Sequence, residues 1–565
     1  MESKFKSALL ISLGINVFIF SLCLFSGELR FGALDDYFMA RILEGAYGNN
    51  YNVHMVFVNV LYGYILLPLY HFFPKICWYY IGELFAIFIS FIVVDFVVIK
   101  KLGFQWGSVF ALIISTAFAT DYYLVTQFTQ CASALSAAGF LALVYAIEYD
   151  CKNNRIGKFK IPMLYLAGFT LVAWGATMRW EAFLMGLPFL GIALLVRLDW
   201  CWKNKIKVIS ILFLLLVGTL GIHKFDDVHY SSSEYQTFRK FQPYRVLIGD
   251  FDNYDMNATY EDLDEMDLSS DNLIRLRGWF FYDKDNFSYD SLSPYVKSIN
   301  NHIIHEDIDY LLNLGFAEFA KYIRFPITWP WILLSLLLIF FNKEKCVYVW
   351  LSLLVILTLM CYLIFIARNV YRVENGFFLY AVVQGISFLK EMPRVSRKWI
   401  VTILAIIVSA TTIIFAIDSS IRDICSGEKI LSSEKKRKKD YQGVLKYIEN
   451  APDSLIFIVS MQPFMGLAEQ DKMPYLTRDF GCWKRIVSTG YWTPYFPDVE
   501  QTLREKGIVN PVKDAVNENV FVIGDRFDDY LQEYYYDSVS VNVVKSFDGI
   551  SIDKYSVVER ENQND

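Results

Sequence analysis

The chain contains no Gly-x-x-x-x-Gly-Lys-Ser/Thr loop and no Gly-x-Gly-x-x-Gly turn, so the two common backbone cradles for nucleotides are absent. Its nine cysteines show no paired metal-ligand spacing, and most lie in or beside apolar runs, where cysteine behaves as a small hydrophobe. Cys425 and Cys482 lie in the polar C-terminal part, where one disulfide and two free thiols are both open readings. Histidine is scarce, at six residues. His302 and His305, followed by Glu306 and Asp307, lack the His-Glu-x-x-His spacing of a zinc helix, and no metal site is expected there. Lys and Arg total 53 against 59 Asp and Glu, and a net charge of −6 excludes the basic surface that nucleic acid requires. There is no internal repeat and no low-complexity tract. No small-x-small cleavage site follows the first apolar run, which is therefore expected to stay as an uncleaved first span.

Apolar residues are abundant instead. They make up 55% of the chain, with a mean hydropathy of +0.32, and they come in long blocks such as Leu9–Phe25, Val208–Ile222 and Val347–Ile366. Blocks of this kind match the ~20 residues that cross ~30 Å of hydrocarbon. The pattern predicts an α-helical polytopic membrane protein with about eleven transmembrane helices, at roughly 7–26, 77–99, 105–124, 129–148, 161–178, 182–197, 206–222, 326–341, 346–367, 375–390 and 398–417. Residues 1–222 would form an N-terminal membrane module, 223–325 a large polar loop, 326–417 the later membrane helices, and 418–565 a small α/β domain. In that domain Leu455–Val459, Val520–Ile523 and Val539–Val544 read as strands, and Asp440–Ile448 and Arg526–Tyr535 as helices.

Met55–Phe73 is apolar but carries Asn59, Tyr62, Tyr64, Pro68, Tyr70 and His71, a composition suited to the membrane–water interface. With this segment lying on the surface and the N-terminus in the cytoplasm, the inner loops hold eighteen Lys and Arg, among them Lys100, Lys101, Arg197 and Lys345. The short outer loops hold six: Arg30, Arg41, Lys75, Arg179, Arg368 and Arg372. Cytoplasmic loops accumulate Lys and Arg, so both polar regions are expected outside the cytoplasm. The basic run at 434–440 runs against this count, but folded domains translocate largely regardless of charge.

The outer side then collects the candidate chemistry. Asp35 and Asp36 follow the first span in Ala-Leu-Asp-Asp-Tyr-Phe. One carboxylate can take a proton from an attacking hydroxyl, two can hold a divalent cation, and either can cap the helix that Tyr37–Leu43 suggests. Asp121 closes the third span and reads either as a second acidic site residue or as a helix-end carboxylate facing water. Arg179, Arg368 and Arg372 lie against the charge bias. A guanidinium binds phosphate bidentately, which suits a lipid phosphate, while snorkelling or an ion pair with Glu181 or Glu374 is the plainer alternative. Glu83 and Asp95 are the clearest acids inside a span, and a transporter would usually carry more.

This arrangement resembles the GT-C superfamily of polytopic glycosyltransferases, which includes the protein O-mannosyltransferases and the aminoarabinose transferase of lipid A. The likeness lies in an acidic pair after span one, a surface-lying helix over His54–Phe73, a second acid near the end of span three, outer arginines and an outer C-terminal domain. It covers the first ~200 residues in layout. Family members often carry Asp-Glu where this chain has Asp35-Asp36, and the family's Asp-x-Asp motif is missing near Asp121. The resemblance implies a polyprenyl-phosphate-linked sugar as donor and a glycan, lipid or protein acceptor outside the cytoplasm of a bacterium. It implies Asp35 as catalytic base, Asp36 and Asp121 orienting the acceptor or a divalent cation, and Arg179, Arg368 and Arg372 on the donor phosphate. An O-antigen-type polymerase or ligase would work without the acidic pair, and a non-enzymatic transporter or flippase would show mid-membrane charge and often repeats.

Overall fold

The computed structural model describes residues 2–26, 29–152, 160–304, 306–392, 407, 410, 441–470, 473–477 and 482–558. Among these, seven helices are long and apolar enough to cross a bilayer: Lys4–Phe25, Trp78–Leu102, Phe104–Leu124, Phe128–Cys151, Ile161–Met178, Lys205–Tyr230 and Lys343–Phe365. Ile308–Tyr322 and Pro326–Phe341 pass the same test together but meet at a 95° bend, which makes eight if the pair is one span. Eleven spans are therefore not what the described residues display. The apolar stretches expected at 182–197 and 375–390 are the helices Trp180–Leu195 and Tyr371–Ile386, 16 residues each. At 1.5 Å per residue each is about 24 Å long, short of the hydrocarbon thickness, a shortfall that apolar composition alone does not reveal. The span expected at 398–417, the basic run at 434–440 and Cys425 lie outside the described residues, save 407 and 410.

The segment read as surface-lying contains the helix Val60–Phe72. Its 13 residues give a length of only about 20 Å, too short to span. Asn59 caps it by accepting from Leu61 N–H. The polar region after residue 223 is helical, with Gln236–Asp250, Met256–Glu265, Ser270–Arg277 and Tyr289–Asn301, and it ends in the apolar helix Ile308–Tyr322.

Phe128–Lys152 is the central helix of the bundle, enclosed on every side. It meets Lys160–Met178 with backbones almost touching: a Cβ added at Gly139 would lie 2.9 Å from Gly168 O and 2.8 Å from Val172 N. Small residues at such a crossing allow the close packing that holds helices together in lipid. Asp95 is part of the same interior packing. Its Oδ2 accepts from Asn16 Nδ2 at 2.7 Å and from Ser115 Oγ at 2.9 Å, which ties three helices with buried polar side chains. At the end of the bundle away from Asp35, Lys101 and Arg197 share Glu148 and both donate to Ser387 O.

Two short strands, β1 (Arg30–Phe31) and β2 (Val125–Thr126), pair in parallel and pin the loop after the first helix to the end of the third. The C-terminal part is a five-stranded mixed sheet. Its strands are β3 (Ile456–Val459), β4 (Ile486–Ser488), β5 (Val520–Ile523), β6 (Val539–Phe547) and β7 (Ile550–Val557), in the order β4-β3-β5-β7-β6. β3 runs parallel to β4 and β5, and β7 antiparallel to β5 and β6. β3, β5 and β6 fall where the sequence predicts strands, and Tyr441–Asn450 and Asp528–Tyr534 where it predicts helices.

This sheet domain is seated on the loop after the first helix. Phe464 stacks on Phe38 at 4.7 Å, Trp483 packs edge-on against Tyr37, and Trp492 does so against Tyr47 at 4.7 Å. Asn52 donates to Asp498 at 2.9 Å. Asp283 fastens the helical polar region to the same domain, accepting from Tyr530, Tyr535, Asn510 and Asn286. Burial would raise the Asp283 carboxyl, but these hydrogen bonds outweigh it and hold the carboxyl below its ordinary value.

Candidate functional site

Asp35 and Asp36 occupy the first turn of the helix Leu34–Leu43, where the helix dipole favours negative charge. Neither is the cap: Ala33 holds that position and makes no side-chain cap bond. The two carboxylates part company at once, as consecutive helical residues must. Asp36 is buried. Its Oδ1 accepts from the Tyr79 hydroxyl and from Phe128 N–H, both at 3.0 Å, while its Oδ2, buried near the Glu83 carboxyl, has no hydrogen-bond partner among the described residues. Burial is the main cause that lifts Asp36 above the usual carboxylate range. Asp35 is only half-buried. Its Oδ1 accepts from the Tyr491 hydroxyl, and its Oδ2 has no hydrogen-bond partner among the described residues.

Tyr491 arrives from the C-terminal domain on the turn that follows β4. Ser488 Oγ accepts from Gly490 N–H and Tyr491 N–H, and Thr489 O accepts from both Phe281 N–H and Tyr282 N–H at 2.8 Å. Gly490 is required by close approach: a Cβ there would lie 1.9 Å from Trp279 O. Trp279 itself has φ +64°, an unusual backbone state for a bulky residue, of the kind that collects at functional sites.

The Trp279 ring lies under Arg245, 5.0 Å from the guanidinium carbon. Arg245, on the helix Gln236–Asp250, is buried, and its Nε donates to Gln242 Oε1 at 2.6 Å. Its Nη1 and Gln242 Nε2 are buried donors with no partner. Burial draws the Arg245 pKa down, opposed by the nearby carboxylates of Asp250 and Asp35. Asp250 accepts from Arg368 Nη2 at 3.2 Å, and burial raises its pKa against the pull of Arg245 and Arg368. One electrostatically linked group thus runs Asp35, Tyr491, Arg245, Asp250, Arg368.

The other residues named from sequence fall around this group. Phe128, whose N–H holds Asp36, also carries Arg179 over its ring at 5.1 Å. Arg179 is paired with Glu181 at 2.9 Å, the plainer of its two predicted roles. Asp121 accepts from the Tyr371 hydroxyl at 2.5 Å; the Tyr371 ring stacks on Tyr322, which bonds Glu374. Arg372, half-buried, has no ion-pair or hydrogen-bond partner among the described residues, and Glu374 is not its partner. Asp35 and Arg368 are linked through Arg245 and Asp250, with no direct contact between them. The structure sets Asp36 and Asp121 in neighbouring hydrogen-bonded networks and Arg179 beside Phe128.

Sequence reasoning missed Arg245, Asp250, Trp279 and Tyr491. The only visible sign was the run Trp279-Phe280-Phe281 in an otherwise polar region. Among the described residues no group of three or more His, Cys, Asp or Glu is placed to hold a metal ion; His302 lies 3.5 Å from Asp262 alone, and His305 lies outside the described residues.

These features define a multi-pass α-helical membrane protein whose helical polar region and α/β domain converge on one end of the bundle. Two solved structures are similar to it along nearly its whole length. ArnT from Cupriavidus metallidurans in the apo state has TM-score 0.39 and 10% identity, covering 97% of this chain and 98% of that one. The same protein bound to undecaprenyl phosphate has TM-score 0.37 and 10% identity, covering 97% of each. No protein-family model and no curated protein matches the chain.

Proposed function

We propose that this chain is a GT-C-type glycosyltransferase of a bacterial inner membrane. It would move a sugar from a polyprenyl-phosphate donor to a glycan, lipid or protein acceptor outside the cytoplasm, in cell-envelope glycan assembly. The observation that carries the reading is a carboxylate with one open oxygen, Asp35 Oδ2, in one network with a buried arginine whose Nη1 is unpaired. A sugar hydroxyl is a poor nucleophile at neutral pH. Asp35 takes its proton as the hydroxyl oxygen bonds to the anomeric carbon. The bond from that carbon to the phosphate oxygen breaks, and polyprenyl phosphate leaves with the electron pair. Arg245 and Arg368 offset the charge that grows on the departing phosphate, electrostatic help that is strongest away from water. Arg372 and Arg179 extend the cationic rim. Asp36 and Asp121 act by position: one holds the start of the Asp35 helix against Phe128, the other holds Tyr371 one residue before Arg372.

The test is genetic and chemical. In cells lacking the chain, mass spectrometry of envelope glycans should show one sugar missing, restored by the wild-type chain and not by Asp35→Asn. A positioned base contributes ~10²–10⁴-fold in rate, and Asn keeps the shape without the basicity. Full restoration by Asp35→Asn would remove Asp35 from the chemistry.

A further inference from the structure

The C-terminal domain reaches into the site as far as the carboxylate assigned as the base. Tyr491 stands 456 positions from Asp35 in the chain, and its hydroxyl donates to Asp35 Oδ1. Burial, and then Asp35 beside it, hold the Tyr491 pKa well above its ordinary value, so the phenol keeps its proton and is the donor.

The turn carrying Tyr491 is fixed from several sides. Ser488 Oγ gathers two successive N–H groups, Thr493 Oγ1 donates back to Ser488 O at 3.0 Å, and Thr489 N–H donates to Val459 O at 3.0 Å. On the far side Gly490 lies against Trp279 O. The ring of Tyr491 is wedged against Phe38, at 5.2 Å, and Phe464, at 6.0 Å. Phe38 stands on the same helix as Asp35. Donor and acceptor are thus held by a common frame, and only one carboxylate oxygen is consumed by it.

We infer that Tyr491 is a positioning residue: the C-terminal domain supplies the phenol that anchors one oxygen of Asp35 and leaves the other aimed at the acceptor hydroxyl. A half-buried aspartate carboxylate turns on two side-chain torsions and samples several orientations. Anchoring Oδ1 keeps Oδ2 in one place, which converts binding order into rate. The domain that sequence alone leaves without a role becomes part of the catalytic site. The inference rests on Asp35 being the base.

Tyr491→Phe removes the hydroxyl and keeps the ring, so its thermal midpoint in detergent should match wild type. Two readouts on the full-length protein test it. The first is transfer or hydrolysis with a panel of polyprenyl-phosphate hexoses and pentoses. Here kcat should fall about tenfold or more, the scale of a lost hydrogen bond to a charged group, with KM for the donor unchanged. The second needs no sugar. Carbodiimide labelling of Asp35, followed by peptide mass spectrometry, should be faster by about tenfold once the phenol is gone. Wild-type kcat together with wild-type labelling would overturn the positioning role and leave the base assignment standing. A rise in kcat would also overturn it, because the contact would then be inhibitory. Wild-type transfer by Asp35→Asn would overturn the base assignment and this inference with it.

Discussion

In the proposed reaction Arg245 is the residue on which the donor side of the site turns. Its Nη1 is buried without a partner, an arrangement that costs stability in the resting protein and is repaid when an anion arrives. Arg245→Ala should weaken donor affinity by about 2–5 kcal/mol, and Arg245→Lys should recover only part of it, because an ammonium lacks the planar fork. Equilibrium binding of a fluorescent polyprenyl phosphate to the purified protein measures both. Equal affinity in wild type and Arg245→Ala would take the arginine off the donor. At this scale the candidate site was partly legible in the sequence. Asp35 could be singled out as a candidate because it directly follows an apolar run, a local signal. Arg368 could be singled out because it breaks the charge bias of short outer loops. Arg245 lies in a long polar region where a basic residue is unremarkable, and Tyr491 is one tyrosine among 37. Only tertiary folding distinguishes either from its neighbours.

Among the elements, the turn after β4 has the least room for change. Adding a methyl group at Gly490 drives it into the Trp279 carbonyl, a backbone atom that cannot step aside as a side chain can. Trp279 is already in a left-handed conformation, so the clash adds to existing strain. Gly490→Ala should therefore cost about 1–3 kcal/mol or more, read as a lower thermal midpoint, and should displace Tyr491 from Asp35. A midpoint equal to wild type would mean that segment 279–282 yields freely. The sheet domain was largely legible at this scale: β3, β5 and β6 are runs of β-branched and aromatic residues. β4 was missed because its three residues are too short to show a pattern, and β7 because Asp553 and Lys554 interrupt its alternation. Trp180–Leu195 and Tyr371–Ile386 are helices where the sequence predicts spans, but at 16 residues each they are shorter than the seven long apolar helices.

For the whole molecule, the charge count places both polar regions on the same side of the membrane, and the fold requires it, since Asp283 is held by Tyr530, Tyr535 and Asn510. With native cysteines replaced, Lys240→Cys and Asp529→Cys should react with an impermeant maleimide in intact cells, and Lys343→Cys only after lysis. Protection of either outer position would reverse the topology. The enclosed central helix Phe128–Lys152 has a consequence for biogenesis. A helix that never faces lipid needs no greasy exterior, and this one carries Thr129, Gln130, Ser133 and Ser136 beside alanines and Gly139. Its mean hydropathy of 1.6 is enough for a span, but alone in a bilayer those hydroxyls and amides would face hydrocarbon. Its settled state exists only after Trp78–Leu102 and Lys160–Met178 have closed around it. The interior of the bundle is thus a product of helix association as well as of insertion, because its polar side chains are sheltered only by the helices around them.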